Sequence, residues 1–436
     1  MSNIASLRRT DGRTRPAISL RTTAIVLATL ILSVLLISFR PYQPAGGTES
    51  EGGDLINQLG FGGLGGLAIL SVLMLAKPRM IAAMASPLWL VMLGFVVFSS
   101  RVSPDPQAAL RAIIFTMIGM VCVISVLCLP RDGDGFSMAL TVSAALVLIL
   151  SYAGLILVPD LATHGYDALE PQNSYLWRGV FSHKNVAAPV MAAFFFAGIY
   201  LMRRRWFVSG ALIAIAALVF VTHTGSKTST ALVPLVALMV VLPGIFGLRP
   251  LAAVGVFAAQ IFFFCFTIGT VLFSPFARIV ESLVSDPTFT GRTSIWRFAL
   301  EKLAERPWTG YGFESFWSTP TVLQAANPYY LDWDVRGIVH GHDGYLDIAV
   351  TMGIPALVCA VIVIILMPLV DYVRCRRNRE NVLLADFFMM ILTFSTLNAF
   401  LESFFFRRVD PVWLMLVLAI FGLRMTARVT LAPREK

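Results

Sequence analysis

The sequence predicts an all-α integral membrane protein with about twelve transmembrane helices. Its 436 residues are 57% hydrophobic and 14% charged, whereas an average soluble domain is roughly 25% charged. Apolar stretches close to the roughly 20 residues that span a bilayer as a helix recur throughout the chain. The length would allow two or three soluble domains, but these repeated stretches favour one helical bundle in a membrane.

The apolar stretches divide the chain into two groups of spans around one long polar segment. The first stretch follows five arginines, as in a signal peptide, but no small-x-small cleavage site follows it, so we interpret it as an uncleaved span. The predicted division is a tail at 1–22, helices one to nine within 23–273, a segment at 274–345, helices ten to twelve within 346–425, and a tail at 426–436. The predicted spans are 23–39, 55–76, 80–99, 108–129, 136–158, 186–202, 206–222, 231–246, 251–273, 346–370, 382–401 and 411–425.

Basic residues predict which connections face the cytoplasm. Short loops rich in Lys and Arg remain on the cytoplasmic side of a membrane, and here such loops alternate along the chain, with basic residues at 77–79, 131, 203–205, 249 and 374–379. Both termini are basic as well, so we expect both to be cytoplasmic. The net charge of +9 is explained by this topology, and nothing in its distribution indicates nucleic-acid binding.

The intervening loops carry most of the unusual polar residues and are predicted to lie outside. "TGRTSIWRFALEKLAERPW", residues 290–308, has apolar side chains at helical spacing. This pattern predicts an amphipathic helix along the membrane surface, capped by Thr290 or Thr293 and ended by Pro307. Arg292 would lie at its start, where the positive end of the helix dipole and a bidentate guanidinium favour a phosphate. A merely solvated arginine is an equally good explanation from spacing alone.

Further positive groups lie at the predicted outer face, where the topology rule expects few. "RGVFSHKN" supplies Arg178, His183 and Lys184, and "HTGSKTST" supplies Lys227. Arg111 lies within an apolar span, where a charge is a functional candidate by default, with structural pairing as the alternative. Together these residues indicate a polyanionic ligand at the outer membrane face.

Two histidines precede the tenth predicted span, in "VHGHDGYLDIAVTMGIPAL", residues 339–357. A histidine near its ordinary pKa of about 6.5 can accept a proton from a hydroxyl at neutral pH. A metal site formed by His340, His342 and Asp343 is a less favoured interpretation than a proton-accepting histidine. Metal sites need more ligands at defined geometry, and the chain has five histidines in all. The simplest alternative makes Asp343 a helix cap and His340 a solvated side chain.

In combination, these motifs resemble the O-antigen ligase and polymerase superfamily, particularly ExoQ-type exopolysaccharide polymerases. The resemblance extends over most of the chain from the fifth span onward. The motifs that carry it are "RGVFSHKN", "GSKTSTAL", "TGRTSIW", "RPWTGYGFESFW" and "HGHDGYLDIAVTMGIPAL".

The resemblance implies roles for individual residues. The superfamily's His-Asn-x-Tyr-Leu pattern matches residues 342–346 and would make His342 the catalytic base, with Asp343 replacing the usual Asn and Tyr345 beside it. The diphosphate-binding arginine matches Arg292, and the second arginine of the superfamily falls on Lys227, which keeps the charge but lacks the bidentate fork. Arg178 and Lys184 are weaker candidates for the donor site, and His340, His183 and Arg111 are supporting candidates.

The resemblance also implies a GT-C-like fold and an activity. The expected reaction is inverting glycosyl transfer, without metal or cofactor, at the periplasmic face of a bacterial inner membrane. The expected partners are an undecaprenyl-diphosphate-linked oligosaccharide donor, a glycan acceptor, membrane lipid and the chain-length regulator usual in the superfamily.

Alternatives remain at this point. A ligase, which moves finished polymer to lipid A core or to a protein, shares every motif, and only the closeness of "FSHKN" and "HGHDGYLD" to the ExoQ type favours a polymerase. A multi-span transporter is a second alternative. Transporters usually show internal repeats and midplane sites, whereas this chain has no clear repeat and its polar groups gather at one face.

Overall fold

The computed structural model describes residues 19–43, 54–166, 173–326 and 334–432. Most of the predicted N-terminal tail and the last four residues lie outside these ranges. The described chain is helical, and its only β-type pairing is one isolated antiparallel bridge between Thr163 and Trp177. The prediction of an all-α membrane protein is therefore confirmed.

The helices within the described ranges differ widely in length. In chain order they are α1 (Leu20–Ile37), α2 (Leu55–Leu75), α3 (Pro78–Met84), α4 (Pro87–Ser99), α5 (Pro106–Cys128), α6 (Gly133–Leu157), α7 (Pro159–Ala162), α8 (Lys184–Arg203), α9 (Phe207–His223), α10 (Lys227–Ile245), α11 (Arg249–Phe266), α12 (Ile268–Leu272), α13 (Ser274–Leu283), α14 (Arg292–Glu305), α15 (Pro320–Leu323), α16 (Gly344–Met352), α17 (Ile354–Val361), α18 (Met367–Val373), α19 (Arg379–Asn398) and α20 (Pro411–Arg428).

Ten helical segments of the described chain are long and apolar enough to cross a membrane. The pair α3 and α4, bent by 66°, forms an eleventh if it is counted as one span, and α9 is apolar but only 17 residues long. Each predicted span overlaps one of these elements. The helices α19 and α20 are almost wholly buried and form the centre of the bundle, whereas fewer than a third of the residues of α2, α10 and α11 are buried.

The tenth predicted span is divided in the structure. Residues 346–370 do not form one helix, because α16 ends at Met352 and Gly353 adopts a positive φ of 86°. The membrane-crossing segment is Ile354–Val373, which consists of α17, a short π-helical stretch and α18. The helix that follows the histidines is therefore a separate nine-residue element.

The predicted cytoplasmic clusters lie together at one end of the bundle. Arg21 pairs with Asp132 at 3.0 Å, and the buried Arg204 pairs with Asp134 at 2.9 Å and Glu380 at 2.8 Å. Arg424 and Arg428 donate to the carbonyls of Ala83, Met84 and Ala85 at the C-terminal end of α3. We call this the basic end and the other, which carries the long segment at 274–345, the site end.

The long segment folds onto the site end around α14. Within it, Ile295, Trp296, Phe298 and Ala299 are buried. The apolar face of α14 packs into a cluster with α16, not against the membrane surface as predicted. The helix best suited to lie along a membrane is the preceding one, α13, which leaves Ile279 and Leu283 exposed on one face.

The start of α14 also differs from the prediction. The N-cap is Gly291, with φ at 79°, and neither Thr290 nor Thr293 caps the helix. The Asp286 carboxylate accepts the backbone N–H groups of Thr288 and Thr290, and the Thr288 hydroxyl accepts that of Gly291. This folded turn places Gly291 at the cap position. Arg292 is the first residue of the helix, as predicted, and the helix ends two residues before Pro307.

Candidate functional site

The turn that carries His340 and His342 is held in place from two sides. The Trp296 indole donates to the carbonyl of Gly341 at 3.0 Å, and the Gly341 N–H donates to the Asp347 carboxylate at 3.1 and 3.2 Å. Trp317 donates to the same carboxylate at 2.7 Å. His342 adopts φ 51°, a left-handed conformation that is uncommon for residues other than glycine and often marks functional sites.

Arg292 and His342 meet at a carboxylate that the sequence motifs do not include. Glu402 lies in the turn after α19. Its Oε1 accepts from the Arg292 guanidinium at 3.1 Å and from the Asn185 side-chain amide at 3.0 Å. Its Oε2 lies 3.7 Å from Nδ1 of His342. The side chains of Arg292, His342 and Glu402 are between 17% and 26% exposed, so the cluster is largely enclosed but accessible.

The surroundings of this cluster keep the Glu402 carboxylate charged and the neighbouring His340 imidazole neutral. Burial raises the pKa of Glu402, but the neighbouring His342 and Arg292 outweigh burial and lower the pKa to about 2. Glu402 is therefore an anion at neutral pH. Burial, together with His342 and Arg407, holds the pKa of His340 well below its usual range, so His340 is neutral. The rings of His340 and His342 lie edge to face with centroids 4.1 Å apart.

Asp343 and Tyr345 occupy structural positions beside the histidines. Asp343 is fully buried and caps α16 by accepting the Leu346 N–H at 2.8 Å, while burial raises its pKa well above the usual range. The Tyr345 hydroxyl donates to the carbonyl of Thr396 at 3.0 Å inside the bundle. The arrangement thus gives Asp343 the capping role.

A second polar cluster is formed by the "RGVFSHKN" stretch. Arg178 is 1% exposed and its guanidinium donates to the carbonyls of Gln43, Thr163 and Ser182. In this structure Arg178 joins the connections around α1 and α7 and does not present a free fork, so its predicted contact with the donor is not supported by its geometry.

His183 and Lys184 belong to the same cluster. His183 caps α8 by accepting the Asn185 N–H, and Lys184 donates to the Asn173 side chain at 2.7 Å. Burial, with His183, Arg178 and Lys184 nearby, lowers the pKa of His164 to about 4. Asn185 connects this cluster to Glu402.

Lys227 and Arg111 lie at the site end but outside the Glu402 cluster. Lys227 is the exposed first residue of α10. Arg111 is exposed on α5 and lines a cavity of about 570 Å³ at the ends of α1, α2 and α5. A second cavity, of about 900 Å³, lies beside His340 and Asp347. Arg408 and Asp410 line both cavities, so the two adjoin.

Two residues of the cluster were missed by sequence reasoning. Asn185 is the last residue of "RGVFSHKN", but its residue type alone did not indicate a role. Glu402 follows an apolar span and belongs to none of the motifs. One signal was available for Glu402, because a lone carboxylate at the outer end of a span opposite an excess of basic groups is unusual. In the described part of the chain, no three His, Cys, Asp or Glu side chains are grouped so as to hold a metal ion.

Fold and site together define a multi-pass membrane protein with an Arg/His/Glu cluster at one end of its helical bundle. Residues 211–361, about a third of the chain, match the model of the family described as O-antigen ligase. This match supports the resemblance of the chain to the O-antigen ligase and polymerase superfamily. Among curated proteins, none matches the chain.

The matched region contains Lys227, Arg292, His340 and His342 but ends before Glu402. The matched family indicates activity of the O-antigen ligase or polymerase type, which suggests a glycosyltransferase-like enzyme with a lipid-linked glycan as substrate.

Proposed function

We propose that the protein polymerises undecaprenyl-diphosphate-linked oligosaccharide repeat units into exopolysaccharide. The reaction is metal-independent inverting glycosyl transfer at the periplasmic face of a bacterial inner membrane, with both termini cytoplasmic. A second candidate is a ligase that transfers finished polymer from the same lipid carrier, and the description of the matched family favours it. The same residues carry the chemistry in both cases.

The observation that carries the proposal is the meeting of Arg292 and His342 around Glu402. The transfer needs two groups, an arginine that binds the anion and a proton acceptor. The Glu402 carboxylate contacts Arg292 and lies 3.7 Å from Nδ1 of His342. Arg292 begins α14, so the positive end of the helix dipole adds to its attraction for a diphosphate.

The proposed step breaks one bond and forms another. His342 takes the proton of the acceptor hydroxyl while the hydroxyl oxygen attacks the anomeric carbon. The bond from that carbon to the diphosphate oxygen breaks, and its electron pair leaves with the lipid diphosphate. Arg292 neutralises this developing charge, a contribution typically of about 3 to 4 kcal/mol per donor. We assign Lys227 a longer-range electrostatic role at the same diphosphate.

The first test is the size distribution of lipid-linked and secreted glycan after deletion of the gene in its own host. A polymerase predicts that single repeat units accumulate on the lipid and that long polymer disappears. A ligase predicts that long polymer accumulates on the lipid untransferred. Unchanged glycan in both fractions would contradict both candidates.

The matched test of the base is complementation with His342→Asn. Asparagine tolerates the left-handed backbone of residue 342 better than alanine does, so the variant removes the base and retains the turn. We expect turnover to fall by about 10²- to 10⁴-fold, the usual contribution of a general base, with normal amounts of protein in the membrane. Wild-type polymer from this variant would refute the role of His342.

A further inference from the structure

Glu402 connects the proposed base to the proposed anion-binding residue. Its two oxygens are divided between them, with Oε1 hydrogen-bonded to Arg292 and Asn185 and Oε2 facing Nδ1 of His342. The four residues come from α8, α14, the turn before α16 and the turn after α19. Their convergence is a product of the tertiary fold, and Glu402 lies outside the region matched by the family model.

A carboxylate at this position determines which nitrogen of the imidazole acts as the base. A neutral histidine carries one N–H, and a carboxylate that faces Nδ1 favours the tautomer with the proton on Nδ1. Nε2 then has the free electron pair. The same carboxylate stabilises the imidazolium that forms when Nε2 accepts a proton, as the buried aspartate of serine proteases does.

The contact of one carboxylate with both Arg292 and His342 has a second consequence. Without substrate, Oε1 compensates the charge of Arg292 at 3.1 Å. A diphosphate competes for the same guanidinium. When the guanidinium turns toward the phosphate, it compensates the negative charge of Glu402 less, and the attraction of Glu402 for a protonated His342 becomes stronger. The titratable and charged groups that act on Glu402 are Arg292, His342 and His340, and Arg407 acts on His340 from the turn of Glu402 itself.

We propose that Glu402 is a positioning residue that fixes the Nδ1–H tautomer of His342 and couples base strength to occupation of Arg292 by the donor diphosphate. The inference rests on the proposed function of these two residues. During transfer, His342 Nε2 receives the hydroxyl proton, the new glycosidic bond forms, and the diphosphate leaves with the electron pair. Glu402 remains a carboxylate throughout.

The experiment measures turnover of purified Glu402→Gln in liposomes, with the lipid-linked glycan that accumulates in the deletion host as substrate. We expect kcat to fall by about 10²- to 10⁴-fold, because loss of the equivalent carboxylate in a serine protease costs about 10⁴-fold, while donor KM changes much less. The acidic limb of the kcat profile should move to lower pH, and Glu402→Asp should recover part of the activity. A uniform loss at every pH, or wild-type activity, would overturn the positioning role.

The coupling is tested by combining Glu402→Gln with Arg292→Lys. Residues that act through a shared group give non-additive losses, so the double variant should lose less than the product of the two single losses. Strictly multiplicative losses would overturn the coupling.

Two further variants keep the outcome interpretable. Asp334→Asn removes a different carboxylate that is also paired with an arginine. Asp334 is exposed in the long segment and lies 2.6 Å from Arg336, so this variant should leave kcat and its pH profile unchanged. If Glu402→Gln does not insert, Glu402→Asp carries the test: its carboxylate is one methylene shorter, so wild-type kcat in that variant counts against the inference. Full activity of His342→Asn would instead refute the proposed function, whatever Glu402 does.

Discussion

Arg292 combines two properties that lysine at the same position cannot reproduce. Its guanidinium holds Glu402 at 3.1 Å and retains further N–H donors for a diphosphate. We expect Arg292→Ala to lower kcat by about 10²- to 10³-fold, the usual effect of removing one transition-state donor. Arg292→Lys keeps the charge and should lose less. Kinetics with the lipid-linked glycan check both variants, and an Arg292→Ala enzyme with unchanged kcat would remove Arg292 from the mechanism.

Lys227 provides a contrast at the same scale. It is an exposed lysine at the start of α10, outside the cluster around Glu402. An exposed point charge acts over a distance and is screened by salt, so Lys227→Ala should cost less than Arg292→Ala, mainly in donor KM, and the deficit should shrink as ionic strength rises. Lys227→Arg should retain activity. A salt-independent loss as large as that of Arg292→Ala would instead indicate direct contact with the diphosphate.

Sequence patterns could predict His342 and Arg292 but not the residue that joins them. Motifs report residues that are close in the chain, whereas Glu402 reaches Arg292 across 110 positions. Burial of Arg178 is equally hard to see in the sequence, because the carbonyls that accept from its guanidinium come from two connections, one after α1 and one between α7 and α8.

At the level of elements, Gly353 determines how the turn that carries His340 and His342 is supported. The apolar composition of residues 346–370 predicted one span, but the Gly-Ile-Pro sequence at 353–355 divides it, since glycine alone adopts this backbone easily and proline suits the start of the next helix. As a result, α16 can pack against α14 and hold Asp347 under the histidines. Helix existence was predictable from composition, whereas this break depended on local backbone chemistry.

The corresponding prediction concerns Gly353→Ala. A Cβ at this position would overlap the carbonyl of Trp308, and the backbone of Gly353 (φ 86°, ψ 167°) lies in a region used essentially only by glycine, which adds strain of about 1 to 3 kcal/mol. We expect a shorter half-life of the purified protein on heating and loss of activity. The matched control is Gly62→Ala in α2, where the new methyl group would meet no atom within 4 Å beyond its chain neighbours and its own helix backbone, so its thermal half-life should not fall. Equal half-lives for the wild type and Gly353→Ala would show that the break is not structurally required.

The arrangement of the whole molecule follows from two separate charge populations. Several arginines at the basic end are paired with acidic residues or backbone carbonyls, as Arg204 is with Asp134 and Glu380 and Arg424 is with the carbonyl of Met84. At the site end, Arg292 and His342 surround a single carboxylate. The alternation of basic loops predicts that the basic end is cytoplasmic, because short connections rich in Lys and Arg remain on that side of a membrane. The folding of 274–345 onto the bundle could not be predicted, since its contacts are long-range.

Sidedness in the cell is tested by labelling single introduced cysteines with a membrane-impermeant maleimide. Ser282 is exposed on α13 at the site end, and Lys77 is exposed before α3 at the basic end. If the basic end is cytoplasmic, Ser282→Cys should react in cells with a permeabilised outer membrane, whereas Lys77→Cys should react only after the inner membrane is disrupted. The wild type gives the background, because four of its five cysteines are buried. Labelling of Lys77→Cys alone in intact spheroplasts would invert the topology and place His342 in the cytoplasm, where the proposed polymer could not be assembled outside.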